Sequence, residues 1–190
     1  MTNFDKKAAR KFCELCSWTY EVWVTHKCLF DDNPAPETNI GLSPWFAHRL
    51  SVITQEYALL QIAKLHDRGE QRGSKNLTID YVVKCGDWGA REPVVREMAD
   101  RLEALSAKIR SARNKILSHN DLDTVMKNAT LGDFTEGEDD KYFAALQELV
   151  NTVHDSWVGG PFPFNDIAKA DAFEFLSRLE RGSSRRPRQK

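Results

Sequence analysis

The sequence predicts an all-α fold, a single helical bundle of about five helices, from three observations. Apolar residues recur at intervals of three and four along most of the 190-residue chain, which is the repeat of one helix face. Prolines and glycines fall between these stretches or at their first positions. The segment from Leu77 to Lys84 contains enough β-branched residues to form a strand, but the sequence predicts no second strand with which it could pair. A short helix begun by Thr78 explains it better.

The first half of the chain holds two longer helices with recognisable ends. The apolar repeat from Phe4 to Phe30 predicts one long helix, which the prolines of Asp31-Asp32-Asn33-Pro34-Ala35-Pro36 terminate. Ser43-Pro44 is typical of an N-cap followed by proline at the first helical position, and the repeat then continues to about Asp67. Gly69 to Gly73 is predicted to be a loop.

The second half holds the most regular apolar pattern. A helix begins near Glu92-Pro93, and its apolar positions alternate in steps of three and four: Val95, Met98, Leu102, Leu105, Ile109, Ala112 and Ile116. A further helix runs from Tyr142 to Trp157 and stops at Gly159-Gly160-Pro161, and Asp166 is placed to cap a last one. The Pro161-Phe162-Pro163-Phe164 stretch is more exposed by its loop context and could either cover the core or touch a partner or RNA.

Composition indicates a globular chain. Hydrophobic residues make up 41% and charged residues 29%, and no run of 18 apolar residues is present, so we expect no membrane association. The N-terminus has neither the apolar core nor the cleavage site of a secretory signal, and a cytoplasmic location is the default expectation. We assign residues 1–180 to one helical domain and residues 181–190 to a basic, flexible tail.

The tail concentrates positive charge on a chain whose formal net charge is −1. It carries five of the 27 basic residues and no acid, which leaves 22 basic against 28 acidic residues in the rest. A short terminus of this kind is commonly a solvated, frayed end. Alternatively, Arg185, Arg186 and Arg188, together with Lys115, could bind RNA phosphates weakly through counterion release.

The stretch from Arg113 to His119 is the one that suggests chemistry. Counting along the apolar stripe places His119 on the same face as Ile116. Six helical steps put Arg113 and His119 about 120° apart on an ideal helix, so the two side chains do not share a face. Either the helix loosens near Ser118, or a partner chain completes the cleft. On residue types alone, Arg113 and Lys115 could be solvated charges near a helix C-terminus and His119 a structural residue.

This stretch, Arg113-Asn114-Lys115-Ile116-Leu117-Ser118-His119, resembles the R-x(4–6)-H signature of the HEPN superfamily. Its Arg-Asn-Lys opening and the Asp that follows His119 and Asn120 are similar to the abortive-infection branch. Two flanking stretches resemble the same branch, Lys64-Leu65-His66-Asp67 and Lys75-Asn76-Leu77-Thr78-Ile79. The all-helical layout fits the HEPN fold over nearly the whole chain.

The resemblance implies a metal-independent endoribonuclease that acts on RNA as a homodimer and needs no cofactor, in a toxin or phage-defence system. In that role Arg113 would hold the scissile phosphate, His119 would act as general base or acid, and Asn114 would orient the phosphate or the histidine. An antitoxin or a nucleotidyltransferase is a possible partner. Some HEPN toxins carry a modifiable Tyr two residues after the motif His; here that position is Asp121, so silencing by that modification is not supported.

Two other interpretations stay open. The chain could be a HEPN-fold dimeric module that binds a nucleotide, RNA or a partner without cutting, or a helical scaffold in which the motif is incidental. A zinc site is disfavoured, because Cys13 and Cys28 on one helix would lie about 22 Å apart. Unless that helix breaks, we therefore predict that Cys13, Cys16 and Cys28 are core or partly buried thiols, and we assign no metal ligand.

Overall fold

Six α-helices account for most of the described chain, which confirms the predicted all-α class. The computed structural model describes residues 4–33, 44–112, 134 and 136–183. The helices are α1 (Lys6–His26), α2 (Pro44–Leu65), α3 (Ile79–Cys85), α4 (Glu92–Ala112), α5 (Glu138–Trp157) and α6 (Ile167–Ser183). A π-helical turn, Lys27–Asp31, follows α1, and a 3-10 turn, Gly89–Arg91, precedes α4. Two-residue strands, β1 (Glu70–Gln71) and β2 (Ser74–Lys75), pair antiparallel between α2 and α3.

The chain divides into two compact units, and the division falls within α1 and α2. The first unit comprises residues 1–18 and 59–164, and the second comprises residues 19–58 and 165–190. The core of the first unit is formed by buried side chains from five helices, among them Phe12, Leu59, Val82, Leu102 and Leu146. The core of the second contains Trp23, His26, Cys28 and Phe30. The predicted boundary at residue 180 stays a prediction.

Helix α3 confirms the prediction of a short helix begun by Thr78. The Thr78 hydroxyl accepts a hydrogen bond from the Tyr81 N–H at 3.3 Å, and the Thr78 backbone is extended, as at an N-cap. The helix buries Ile79, Val82 and Val83 in the first unit. The Thr78 cap and the burial of these three side chains together stabilise a helix in a segment rich in β-branched residues.

The segment from Gly69 to Gly73 is not a simple loop, contrary to prediction. Glu70 pairs with Lys75 and Gln71 with Ser74 across a two-residue turn. The turn residues, Arg72 and Gly73, have φ values of 50° and 80°, the left-handed backbone that suits a tight hairpin. The hairpin was missed because arginine rarely adopts positive φ.

Helix α1 ends in a wider turn than its apolar spacing predicts. The α-helix stops at His26, and in the next turn the Asp32 N–H donates to the Lys27 carbonyl at 2.8 Å, a bond that spans five residues. This turn buries Cys28 and Phe30. The predicted helical segment is thus present, with a change of helix type over its last residues.

The segment after α5 is fixed by amide side chains. The helix ends at Trp157, and Gly159 and Gly160 follow with φ values of 107° and 71°, as the glycine signal predicts. The Gln147 amide then donates to the Phe162 carbonyl at 2.8 Å, and Asn151 accepts from the Phe162 N–H at 3.0 Å. The Pro161–Phe164 stretch therefore lies pinned along α5, with the side chains of its two phenylalanines half-buried.

The side chain that caps the start of α6 belongs to Asn165, next to the predicted cap residue Asp166. The Asp166 carbonyl accepts the first helical hydrogen bond, from Ala170, at 2.9 Å. The side chain that caps the helix is that of Asn165, which accepts from the Ile167 N–H at 3.0 Å. Within the described ranges, no helix combines the length and apolar character that a bilayer crossing requires.

Candidate functional site

The predicted catalytic residues fall between two described parts of the chain. The described part of α4 extends to Ala112, and the description resumes at Phe134. The predicted site residues that lie outside the described ranges are Arg113, Asn114, Lys115 and His119 in the motif and Arg185, Arg186 and Arg188 in the tail. The described residues nearest to the motif in sequence are those of α4 before it and Phe134 after it.

Helix α4 buries three positions of the predicted stripe and half-buries two, Met98 and Leu105, while the burial of Ala112 and Ile116 lies outside the described residues. Val95, Leu102 and Ile109 have no exposed surface, and they repeat every seven residues along one face. Ser106 is buried on the same side, and its hydroxyl donates to the Glu103 carbonyl at 3.1 Å. This packing in the first unit fixes which way α4 faces as it approaches Arg113.

A cleft of about 820 Å³ opens beside α4 within the first unit. Its walls are the chain after α2, the hairpin, α3 and the middle of α4. The charged groups that line it are Asp67, Arg68, Glu70, Lys75, Asp80, Lys84, Arg96, Asp100 and Glu103. Because carboxylates and cations are interspersed, this surface is suited to a polar ligand with donors and acceptors rather than to a uniformly anionic one.

Asp80 ties the wall of the cleft together. Its carboxylate accepts from the Gly69 N–H at 2.8 Å and pairs with Lys84 at 2.7 Å. Partial burial opposes ionisation of Asp80, but the Lys84 ammonium and the Gly69 N–H outweigh it, so the pKa of this carboxyl lies below its ordinary value. A Cβ on Gly69 would lie 2.7 Å from the Tyr81 backbone, so the close approach of hairpin and α3 requires glycine here.

His66 lines the same cleft from the end of α2, where its side chain is only 2% exposed. Its Nε2 lies 3.0 Å from the Tyr142 hydroxyl on α5, and its Nδ1 lies 3.5 Å from a carboxylate oxygen of Glu103 on α4. The imidazole tautomer decides whether Nε2 or the Tyr142 hydroxyl donates in this hydrogen bond. The imidazole thus joins three helices of the first unit.

Tyr142 connects this imidazole to the point where the chain returns from the motif. Its side chain is fully buried, and burial, with Cys16 nearby, raises the pKa of the phenol well above its ordinary value. The Phe134 ring lies 5.5 Å from the Tyr142 ring, measured between centroids. A tyrosine held neutral in this way can serve as a hydrogen-bond donor over the whole physiological pH range.

Sequence reasoning did not find the roles of His66 and Tyr142. His66 has no paired ligand spacing, and Tyr142 occupies an ordinary apolar helix position. The similarity of Lys64-Leu65-His66-Asp67 to the abortive-infection branch was the one signal that marked the region. The contact between two residues 76 positions apart could be seen only in the folded chain.

The cysteines confirm the prediction of core thiols. Cys13, Cys16 and Cys28 are buried, and Cys13 donates to the Val150 carbonyl at 3.8 Å. Burial raises the pKa of Cys13 to about 12 and that of Cys16 well above its ordinary value, which keeps both in the thiol form. Cys85, by contrast, is exposed and lines the cleft. Among the described residues no cluster of three His, Cys, Asp or Glu side chains is arranged to hold a metal ion.

The described chain is all-helical, and in the sequence the Arg113–His119 segment follows α4, whose buried positions repeat every seven residues. The sequence matches the family model HEPN_AbiU2, described as AbiU2, over residues 1–176. The chain therefore belongs to the AbiU2 family of HEPN proteins, a family of the abortive-infection type. No curated protein and no solved structure matches it significantly.

Proposed function

We propose that this protein is a metal-independent endoribonuclease that acts as an abortive-infection effector. The observation that carries the proposal is the family match over residues 1–176, which spans the Arg113–His119 motif. The burial of Val95, Leu102 and Ile109 on α4, the helix that precedes the motif in sequence, agrees with the all-helical layout that the resemblance implies. The substrate is RNA, in keeping with the resemblance that the motif carries.

The chemistry follows from the residue types. The RNA 2′-hydroxyl loses its proton to a base as its oxygen attacks the adjacent phosphorus, and the 5′-oxygen of the next nucleotide leaves and takes up a proton. His119 is the candidate for one or both proton transfers, because imidazole titrates near neutral pH. Arg113 holds the phosphate and stabilises its extra negative charge, and Asn114 orients the phosphate or the imidazole. The products are a 2′,3′-cyclic phosphate and a 5′-hydroxyl.

A homodimer completes the site in this proposal. Arg113 and His119 lie about 120° apart on an ideal helix, so one helix does not bring both side chains to one phosphate. Two copies of the motif facing each other across a shared cleft would do so. Activity is then expected to depend on protein concentration in the range where the dimer dissociates.

The direct test is cleavage of RNA by the wild type and by Arg113→Ala and His119→Ala. Each substitution should lower the rate about 100-fold or more. Cleavage by the wild type should persist with a chelator present, and its products should carry cyclic phosphate ends. The matched controls are His48→Ala, an exposed histidine of α2, and Arg178→Ala, an exposed arginine of α6 that pairs with Glu174. Both controls should cleave like the wild type.

Undiminished cleavage by both motif variants would refute the catalytic assignment. Wild-type protein that binds RNA or a nucleotide without cutting it would favour the non-catalytic dimeric module instead. In cells, toxicity on expression should disappear in His119→Ala and persist in His48→Ala. A chain whose expression is harmless in both forms would contradict a toxin role.

A further inference from the structure

The first half of α2, which belongs to the second unit, exposes a row of large apolar side chains. Trp45 is 75% exposed and Ile53 61%, and the Phe46 and Tyr57 rings are each a little under half exposed. At about 100° per residue, these four positions fall within about 120° around the helix axis. They therefore form one stripe, which we call the α2 face.

The exposed apolar residues of α6 show no such arrangement. Phe173 and Phe175 are both about half exposed, but two residues apart they lie on nearly opposite sides of the helix. Single exposed apolar side chains are ordinary on a protein surface and need no partner. A contiguous stripe is different, and patches of about 300–600 Å² are frequently interaction sites.

The α2 face has the size and composition of the centre of a protein interface. A whole aromatic side chain presents about 150–250 Å², so its three aromatic residues together leave roughly 350 Å² open to solvent. One partner of a standard interface contributes about 800 Å², and Ile53 with the polar edge of the face adds to the aromatic area. Aromatic residues at the centre and polar residues at the rim are the usual anatomy of such a surface.

The charges at the edge of the α2 face are self-complementary. Arg49 and Glu56 lie seven residues apart, so they project along nearly the same direction, about 10.5 Å from each other along the axis. The Arg49 guanidinium lies 5.9 Å from the centroid of the Phe46 ring, which keeps the positive charge beside the face. A second α2, packed antiparallel about a twofold axis beside Ile53, would set each Arg49 opposite the partner's Glu56.

The same axis also matches the aromatic residues on the other edge. Phe46 and Tyr57 lie on opposite sides of Ile53 along the helix and only about 20° apart around it. The twofold operation therefore brings Phe46 to within about 3 Å, along the axis, of the level of the partner's Tyr57. Both edges of the face are thus satisfied by one symmetric arrangement.

We propose that the α2 face is the surface on which a second copy of this chain binds, with the two α2 helices antiparallel about a twofold axis beside Ile53. A symmetric interface uses the same patch on both copies, and the pairing of Arg49 with Glu56 meets that requirement. The inference deepens the homodimer of the proposed function and rests on that part of it. It does not depend on RNA cleavage.

The first test is sedimentation velocity of the full chain over a range of concentrations. Ile53→Asp should raise the dimer Kd about 100-fold, because it places two carboxylates at the centre of the interface. The matched control is Ile167→Asp on α6, where the isoleucine is 63% exposed, and its Kd should equal that of the wild type. Both positions are exposed, so circular dichroism should show both variants folded.

The second test reverses the charges at the edge of the face. Arg49→Glu and Glu56→Arg should each raise the Kd about tenfold at low salt, because like charges then meet at two symmetric places. Combined in one chain, the two reversals restore opposite charges across the axis and should return the Kd to within about threefold of the wild type. Raising the salt concentration should shrink the single-variant effects.

The outcomes separate this surface from the proposed function. A wild type that stays monomeric at about 100 μM would overturn the surface and the homodimer together. A dimer whose Kd is unchanged in Ile53→Asp and in both reversals would overturn the α2 face and leave the homodimer standing. Equal weakening in Ile167→Asp, or reversals that do not compensate each other, would also overturn it. A dimer that does not cleave RNA would refute the ribonuclease and leave this surface intact.

Discussion

Asp80 is a residue of the cleft wall whose charged form the fold stabilises. Its carboxylate holds the Gly69 N–H and the Lys84 ammonium, and its pKa lies below the ordinary value of 3.8. A depressed pKa means that the folded state favours the charged form. The stabilisation is therefore fully present above pH 3.8 and is lost as the pH falls through the lower folded-state pKa.

We expect Asp80→Asn to lower the free energy of unfolding by about 1–2 kcal/mol at pH 7. The difference from the wild type should shrink as the pH falls below 3.8, because the wild-type carboxyl then also becomes neutral. Urea unfolding at several pH values measures both. Asp155→Asn is the control, since its pair with Arg91 is half exposed on both sides and should contribute little. A difference that does not change between neutral and acid pH would contradict this account of Asp80.

At the scale of elements, helix α4 packs its apolar face into the first unit and precedes the motif in sequence. Leu102 lies in the middle of its buried face and has no exposed surface. Leu102→Ala should lower the free energy of unfolding by about 2–5 kcal/mol, through lost apolar burial and the cavity left behind. Val94→Ala on the same helix is the comparison, because Val94 is 52% exposed and its truncation should cost little. Equal effects in thermal or denaturant unfolding would show that the predicted stripe is not the packed face.

Helices with one apolar face could be predicted from the sequence. The hairpin turn and the π-helical turn, which depend on unusual backbone conformations, could not. The repeat of α4 and the Thr78 cap of α3 give clear local signals, because side chains alone decide them. The hairpin turn depends on a positive φ at Arg72, and the π-helical turn on a shifted backbone bond at Lys27. Neither leaves a pattern in the order of apolar residues.

The candidate site was predictable only in its local part. The motif from Arg113 to His119 is contiguous, so a family resemblance can point to it. The contact of His66 with Tyr142 joins residues far apart in sequence, and His66 has no paired ligand spacing that would mark it. Only the packing of α2, α4 and α5 brings the imidazole, the carboxylate and the phenol together.

At the scale of the whole molecule, the proposed dimer makes a prediction that no single-chain site shares. If Arg113 of one copy works with His119 of the other, a dimer of Arg113→Ala with His119→Ala holds one intact site and one site that lacks both residues. Random pairing of equal amounts makes half of the dimers mixed. Co-refolded or co-expressed variants should therefore recover about a quarter of the wild-type rate, although each alone is inactive.

The measurement is RNA cleavage by the co-expressed pair, purified through different tags on the two variants so that only mixed dimers are assayed. Such dimers should show about half the wild-type rate. The comparison is a double variant, with Arg113→Ala and His119→Ala in one chain, co-expressed with the wild type. In these mixed dimers the wild-type chain carries both Arg113 and His119, so no site can combine the two residues from different chains. Cleavage by those dimers, with none by the single-variant pair, would place both residues of the working site within one chain and rule out the shared cleft.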